Sequence, residues 1–445
     1  MRKYTVQRCD GQMASTSHGY TSPPSQQVDW SSETIEVIVP WPDQTDRVRR
    51  AGVSAFDLSG TNAYVIPEQA HAEFATADSA LSRSLIGPWV MSAKSASALG
   101  EQAVVGAPAP NVAFGKAAAA RGTVFVFPGQ GSWGTGMAVE PLDSAPAFVN
   151  QMRLCDAAFA EFVDWSLLEA VRGDVGSPSL DRVDVVQPVL FAVTVSLAAQ
   201  WRALGIQPDA VLGHSQGEIA AAYVAGALSL RDAAKVVTLR SKAMSGIAGK
   251  GGMVAIPRPV QQVWALIEPW GQSICVAAQN GPSSTVVTGN AAALDELMAV
   301  CERDNLPAMR IPVNYASHSA HVEALRETLL ESLSGLQPRT GEIVFISAVT
   351  GAGLDSSILD GDYWFANLRQ PVLFEQAVRW AYEHGYRTFI ESSRHPVLTV
   401  GIQESLEEYG DDQSVVGTLQ RNEDGRRRFP LSAAEPDVVD RDGHQ

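Results

Sequence analysis

The chain holds 445 residues, 45% of them hydrophobic, and 33 basic against 49 acidic side chains give a formal charge of −16. That length supports two or three domains, and the acidity excludes a general nucleic-acid or membrane-surface binder, whose phosphate contacts need clustered Lys and Arg. Cys9, Cys155, Cys275 and Cys301 form no CxxC pair and keep no metal-ligand spacing with histidine, as in a reduced, cytoplasmic protein. The polar start carries no signal-peptide core, and no run approaches the roughly 18–20 apolar residues of a membrane span.

In chain order, residues 1–30 are rich in Ser, Thr, Gln, Gly and Pro and read as loop or disorder. Residues 31–68 turn strand-like, with runs at Thr34–Val39 and Ala63–Ile66 and a turn at Ser59-Gly60-Thr61-Asn62. Residues 69–122 mix Ala, Ser and Gly around one apolar run at Trp89–Met91 and read as a linker. The main domain, 123–421, opens on the strand Thr123–Phe127, stopped by Pro128-Gly129-Gln130-Gly131. A helix is expected around Val189–Leu204. The strand Ala210–Leu212 then enters Gly213-His214-Ser215-Gln216-Gly217 and an Ala-rich helix. Strands alternating with helices predict a parallel sheet covered on both faces.

The rhythm changes over 252–313. Strand Met253–Ile256, helix Val260–Trp270 and the strand pair Ile274–Ala277 and Thr285–Thr288 come first. A helix striped by Leu294, Leu297, Met298 and Cys301 follows, with Asn290 placed to cap it, and strand Met309–Val313 closes the unit. The order β-α-β-β-α-β predicts an inserted ferredoxin-like subdomain. The fold expectation is therefore α/β: an α/β-hydrolase-like parallel-sheet domain with a small ferredoxin-like insertion. The larger domain resumes with strands Ile343–Ile346 and Arg387–Ile390, and a charged tail, 422–445, frays.

The strongest chemical signal is the GxSxG at Gly213–Gly217. A strand running into this pentapeptide and out into a helix is a nucleophile elbow, with Ser215 at its tip and the Gln216 amide aimed at a developing oxyanion. The bland alternative, a glycine-rich turn with an idle serine, does not need the flanking strand and helix. His214 points away from the serine's side and reads as structural. The base comes from elsewhere; His318 and His321 lie together in the sequence, and spacing does not choose between them.

Phe127-Pro128-Gly129-Gln130-Gly131-Ser132, the stretch from Gly213 to Leu230 and Tyr315-Ala316-Ser317-His318-Ser319-Ala320-His321 together resemble the acyltransferase domains of modular polyketide synthases. These are relatives of the malonyl-CoA:acyl-carrier-protein transacylases, and the resemblance covers about 123–421. It implies Ser215 as nucleophile, His318 as base, and the Gln130 and Gln216 amides as oxyanion donors. It also implies Asn367 as the residue whose main-chain carbonyl orients the histidine, and Arg240 as the grip on the extender's free carboxylate. A planar guanidinium suits that task because it binds a carboxylate through two parallel hydrogen bonds. The YASH motif implies methylmalonyl-CoA rather than malonyl-CoA, with Gln187, Tyr315 and Ser317 as specificity positions. No cofactor is implied. The substrates are a coenzyme A thioester and the phosphopantetheine thiol of an acyl carrier protein, other synthase modules are the expected partners, and no nucleic acid or membrane is involved.

Residues 50–64 resemble the end of a ketosynthase domain, so 31–68 reads as a ketosynthase remnant and 69–122 as a shortened linker to the acyltransferase. The family pattern is departed from at Tyr64, Trp133, Ala366 and Arg394. Three other readings stay open: a malonyl-specific enzyme, a serine thioesterase or hydrolase with an acidic triad member, and an inactive synthase fragment acting as scaffold.

Overall fold

The computed structural model describes residues 122–131, 142, 145–410, 412–419, 429 and 432, together with the backbone of five short strands before residue 66. The chain forms two compact units, Met1–Leu85 with Met91–Ala107, and Ile86–Val90 with Pro108–Gln445. In the first, β1 (Arg8–Cys9), β2 (Gln12–Thr16) and β3 (Glu36–Pro40) make an antiparallel sheet in that order, and β4 (Val53–Phe56) pairs with β5 (Asn62–Val65). Two strands thus lie within the stretch expected to be irregular; Gln12–Thr16 is too polar to declare itself a strand and is fixed by pairing with the apolar β3. The expected frayed tail lies outside the described residues, Phe429 and Ser432 apart, as do Trp133 and the side chain of Tyr64.

The second unit is built on a six-stranded sheet of β6 (Gly122–Phe127), β7 (Ala210–Gly213), β12 (Val344–Ser347), β13 (Ala352–Leu354), β14 (Tyr386–Glu391) and β15 (Ser414–Gly417). Its order is β13-β12-β7-β6-β14-β15; every pairing is parallel except that of edge strand β13. Successive side chains of β6 face opposite sides. Phe125 and Phe127 join one core with the helices Pro146–Phe159 and Val183–Ala203. Val124 and Val126 join the other, with the helices Phe374–Glu383 and Thr399–Leu406. Burial on both faces explains why β6 and β7 read as unbroken apolar runs rather than alternating ones.

The helix expected from Val189 begins at Val183 and contains Pro188. A proline marks a boundary in a sequence; here it forfeits one ladder hydrogen bond while sixteen residues of the helix are buried. This helix is also long and apolar enough to cross a membrane by length and composition, against expectation, but most of it is packed inside the protein. A core helix covered on all sides reads the same way.

Residues 251–311 form a separate antiparallel sheet of β8 (Gly251–Ile256), β9 (Ile274–Gly281), β10 (Ser284–Asn290) and β11 (Met309–Ile311), in the order β11-β8-β10-β9. Numbered from its own start, that is 4-1-3-2, the arrangement of a split βαβ unit. It has its own core, including Val254, Val263, Val287, Leu294 and Leu297. The helix expected to reach Trp270 ends at Ile267 and tightens into a 3-10 turn over Glu268–Ser273. Pro269 cannot extend the α ladder, and Gly271 adopts φ +52°. Asn290 does occupy the N-cap of Ala291–Arg303, but its side chain makes no cap bond; its Oδ1 meets His321 Nε2 at 2.7 Å instead.

Candidate active site

The loops leaving the C-terminal ends of the adjacent parallel strands β6 and β7 meet here, where open α/β sheets place their ligands. The His214 amide donates to the Phe127 carbonyl at 2.8 Å, tying the elbow to the Pro128–Gly131 loop. A Cβ on Gly217 would stand 2.1 Å from Phe127 O, and one on Gly213 2.1 Å from Glu218 N, so both glycines are steric requirements. Ser215 takes φ +53°, the left-handed conformation that costs a side-chain-bearing residue about 1–2 kcal/mol.

His318 also sits at a positive φ, +58°. Its Nε2 lies 2.9 Å from Ser215 Oγ and its Nδ1 2.7 Å from the Gln370 carbonyl. A carbonyl only accepts, so Nδ1 carries the proton, Nε2 is a free acceptor, and the serine hydroxyl donates to it. Burial pushes the His318 pKa down to about 3, opposed by the Gln370 bond and assisted by the positive Arg240, so the imidazole is neutral at ordinary pH. His321 is turned away, on Asn290.

The orienting carbonyl is that of Gln370, which corrects the assignment of Asn367 to this role. Asn367 lies within the helix Gly361–Arg369, whereas Gln370 is its C-cap with ψ 156°, and its carbonyl is released from the helix ladder. Asn367 is placed one layer behind. Its Nδ2 donates to Ser215 O at 3.1 Å and to Glu218 Oε2 at 2.8 Å, and its Oδ1 accepts from Arg240 NH2 at 3.2 Å.

Arg240 is 1% exposed. Its NH1 donates to Gln187 Oε1 at 3.2 Å, its Nε is buried without a hydrogen-bond partner, and burial lowers its pKa to about 10, which leaves it charged. Gln187 Nε2 donates in turn to Gln130 Oε1 at 3.1 Å, and the same oxygen accepts from the buried Tyr315 hydroxyl. Four of the expected positions, Arg240, Gln187, Gln130 and Tyr315, therefore form one hydrogen-bonded chain. Gln216 is the N-cap of the helix Gly217–Val224, and its buried Oε1 has no partner. Gly217 and Glu218 donate their amides to the His214 and Ser215 carbonyls, while among the described backbone hydrogen bonds none is donated by Gln216. Ser317 faces the small sheet, its Oγ 3.7 Å from Met253 Sδ.

Sequence reasoning passed over three residues. Gln370 acts through its main chain, which no side-chain signal reveals. Glu218, wholly buried, accepts from Tyr363 and Asn367 side chains and the Ala348 amide. A carboxylate in the otherwise apolar Glu218-Ile219-Ala220-Ala221-Ala222 was the available clue. Asn280, on β9, holds His214 Nε2 at 2.8 Å.

Residues 124–442 match the family model described as "Acyl transferase domain". The chain is 50% identical, over 94% of its length, to the mycoketide-CoA synthase of Mycobacterium tuberculosis, and spans 11% of that synthase's own length. Among solved structures, the acyltransferase domain from module 8 of the salinomycin polyketide synthase matches at TM-score 0.72 and 52% identity, over 77% of this chain and 80% of that one. The malonyl CoA-acyl carrier protein transacylase of Coxiella burnetii shares the fold at TM-score 0.61 and 23% identity, over 74% of this chain and all of its own.

Proposed function

This chain belongs to the acyl transferase domain family and is homologous to the acyltransferase domains of modular polyketide synthases, and from that premise we propose that it moves a methylmalonyl group from coenzyme A to an acyl carrier protein through an ester on Ser215. The observation that carries the reading is the contact of Ser215 Oγ with a neutral, carbonyl-oriented His318 in the site that also holds the buried Arg240.

In the first half-reaction His318 Nε2 takes the Ser215 proton as the oxygen attacks the thioester carbonyl. The oxyanion forms between the Gln130 and Gln216 amides, and the Gln370 carbonyl steadies the imidazolium through Nδ1–H. The carbon–sulfur bond breaks and the thiolate of coenzyme A leaves with the proton from Nε2. In the second, the phosphopantetheine thiol gives its proton to His318 and attacks the ester, and Ser215 recovers its hydrogen. Arg240 holds the extender's free carboxylate, which favours dicarboxylic thioesters. The preference for the α-methyl group rests on the Tyr315–His318 motif, and one methyl in a pocket is worth only about 1–3 kcal/mol, so the selection is a bias rather than a wall. A main-chain carbonyl faces Nδ1 where the hydrolase alternative expects the carboxylate of a triad. The chain's place among 31–68 as ketosynthase remnant, 69–122 as linker and 123–421 as catalytic domain, in a cytoplasmic synthase with other modules as partners, belongs to the same proposal.

The test is the intact mass of the protein after exposure to equimolar malonyl-CoA and methylmalonyl-CoA, then to an acyl carrier protein. The expected result is a methylmalonyl adduct, absent from Ser215→Ala, that passes to the carrier. Predominant malonyl adduct overturns the extender choice, free acid in place of acylated carrier overturns transfer, and no adduct overturns the catalytic reading altogether.

A further inference from the structure

The charge around Arg240 is arranged in an unusual way. Its guanidinium is buried, yet the two nitrogens with partners donate to neutral amide oxygens, Gln187 Oε1 and Asn367 Oδ1, and Nε donates to nothing. A buried cation needs a counter-charge. The nearest carboxylate in its network, Glu218, reaches it only through Asn367, which donates to Glu218 Oε2 and accepts from Arg240 NH2. Burial raises the Glu218 pKa to about 7, opposed by three donors to the carboxylate, the Tyr363 hydroxyl, the Ala348 N–H and the Asn367 amide, which favour its ionised form. The orientation of the Asn367 amide is fixed from both ends: its nitrogen faces two acceptors, Ser215 O and Glu218 Oε2, and its oxygen faces a cation.

We propose that Glu218 and Asn367 are positioning residues that hold Arg240 for the acid group of the substrate and set it in register with Ser215. A carboxylate bonded directly to Arg240 would fill the guanidinium edge that the substrate's own carboxylate needs. With an amide interposed, the negative charge stays close while the described partners of Arg240 are neutral amide oxygens, so the substrate's carboxylate has no ion pair to displace. The same amide nitrogen grips the main chain of the nucleophile, so the distance from the anchored carboxylate to the attacking oxygen is set by one rigid side chain. This inference rests on the proposed transfer reaction and on Arg240 as its carboxylate grip.

The experiment compares Ser215 acylation by methylmalonyl-CoA, a diacid, with acylation by propionyl-CoA, which lacks the second carboxylate, in the full chain and in Asn367→Leu, Asn367→Asp and Glu218→Gln. The ratio of the two kcat/KM values is the readout, since a residue that only supports the fold lowers both alike. Asn367→Leu is expected to lower the ratio about tenfold, the scale of one hydrogen bond to a charged group, chiefly through KM for the diacid. Asn367→Asp is expected to lower it further, because its carboxylate competes with the substrate for Arg240, and Glu218→Gln to lower it as well. An unchanged ratio in the Asn367 variants, or parallel loss with both thioesters, overturns the inference. If the unaltered chain forms no acyl-serine with either thioester, the transfer reading itself has failed, and this inference with it.

Discussion

The two side chains proposed to react hang from left-handed backbone, Ser215 at φ +53° and His318 at φ +58°. Strain of this kind persists only where surrounding contacts over-determine it. For His318 those contacts are its amide donating to Leu368 O at 2.8 Å and its Nδ1 donating to Gln370 O at 2.7 Å, both from the end of one helix. The shifted imidazole has a kinetic consequence. A lowered pKa means that the neutral, proton-accepting form survives to lower pH, so the acid limb of kcat/KM for Ser215 acylation should fall well below the ordinary histidine midpoint of about 6.5. A profile measured with propionyl-CoA, whose acylation does not use the Arg240 grip that Glu218, its pKa raised to about 7, supports, is expected to stay level from pH 8 to pH 5; a midpoint near 6.5 would show that His318 is not held as described. Legibility at this scale was uneven. Ser215 announced itself through flanking glycines, whereas the choice of His318 over His321 was settled by the family resemblance alone, because both are equally near in sequence.

Among the elements, the elbow depends on space more than on hydrogen bonds. Gly217 begins a helix, where alanine is ordinarily worth about 1 kcal/mol more than glycine. Here a methyl would press to 2.1 Å from the Phe127 carbonyl, which belongs to the neighbouring strand and cannot yield without moving the Pro128–Gly131 loop. Gly217→Ala is therefore expected to destabilise by about 3 kcal/mol or more, overriding the propensity gain, and to abolish acylation even in the fraction that folds. Chemical denaturation followed by an acylation assay checks both parts. The strands of this sheet were readable because burial on both faces leaves continuous apolar runs. The start of the helix Val183–Ala203 was not, since Pro188 looks like a boundary until the core around it is seen.

For the catalytic unit as a whole, the small antiparallel sheet and the large parallel one cooperate at the site through β9. The Gln279 amide donates to Val372 O at 2.9 Å, the Val372 amide to Ala277 O at 2.8 Å, and Asn280 holds His214 beside Ser215. Gly401, on the helix Thr399–Leu406, lies so close to β9 that a Cβ there would stand 2.3 Å from Asn280 O. Gly401→Ala gains helix propensity of about 1 kcal/mol but displaces Asn280, and the contact dominates. We expect a lower melting temperature and slower Ser215 acylation, with the His214→Ala change adding less on top of it than it does alone, as coupled neighbours do. Full additivity of the two would disprove the linkage.

Sequence alone determined the scaffold and named candidates for the chemistry: apolar runs without alternation specify a doubly covered parallel sheet, and glycines on either side of a serine specify the bend between strand and helix. It did not settle what lies beside what. The carbonyl on His318 comes from Gln370 rather than Asn367 because a helix ends there. The amide of Asn367 joins Ser215, Glu218 and Arg240, at separations of up to 152 residues along the chain. Local sequence encodes periodicity and backbone freedom, which act over a few residues. Hydrogen bonds between distant side chains depend on the meeting of strands and helices, and only the folded chain fixes them.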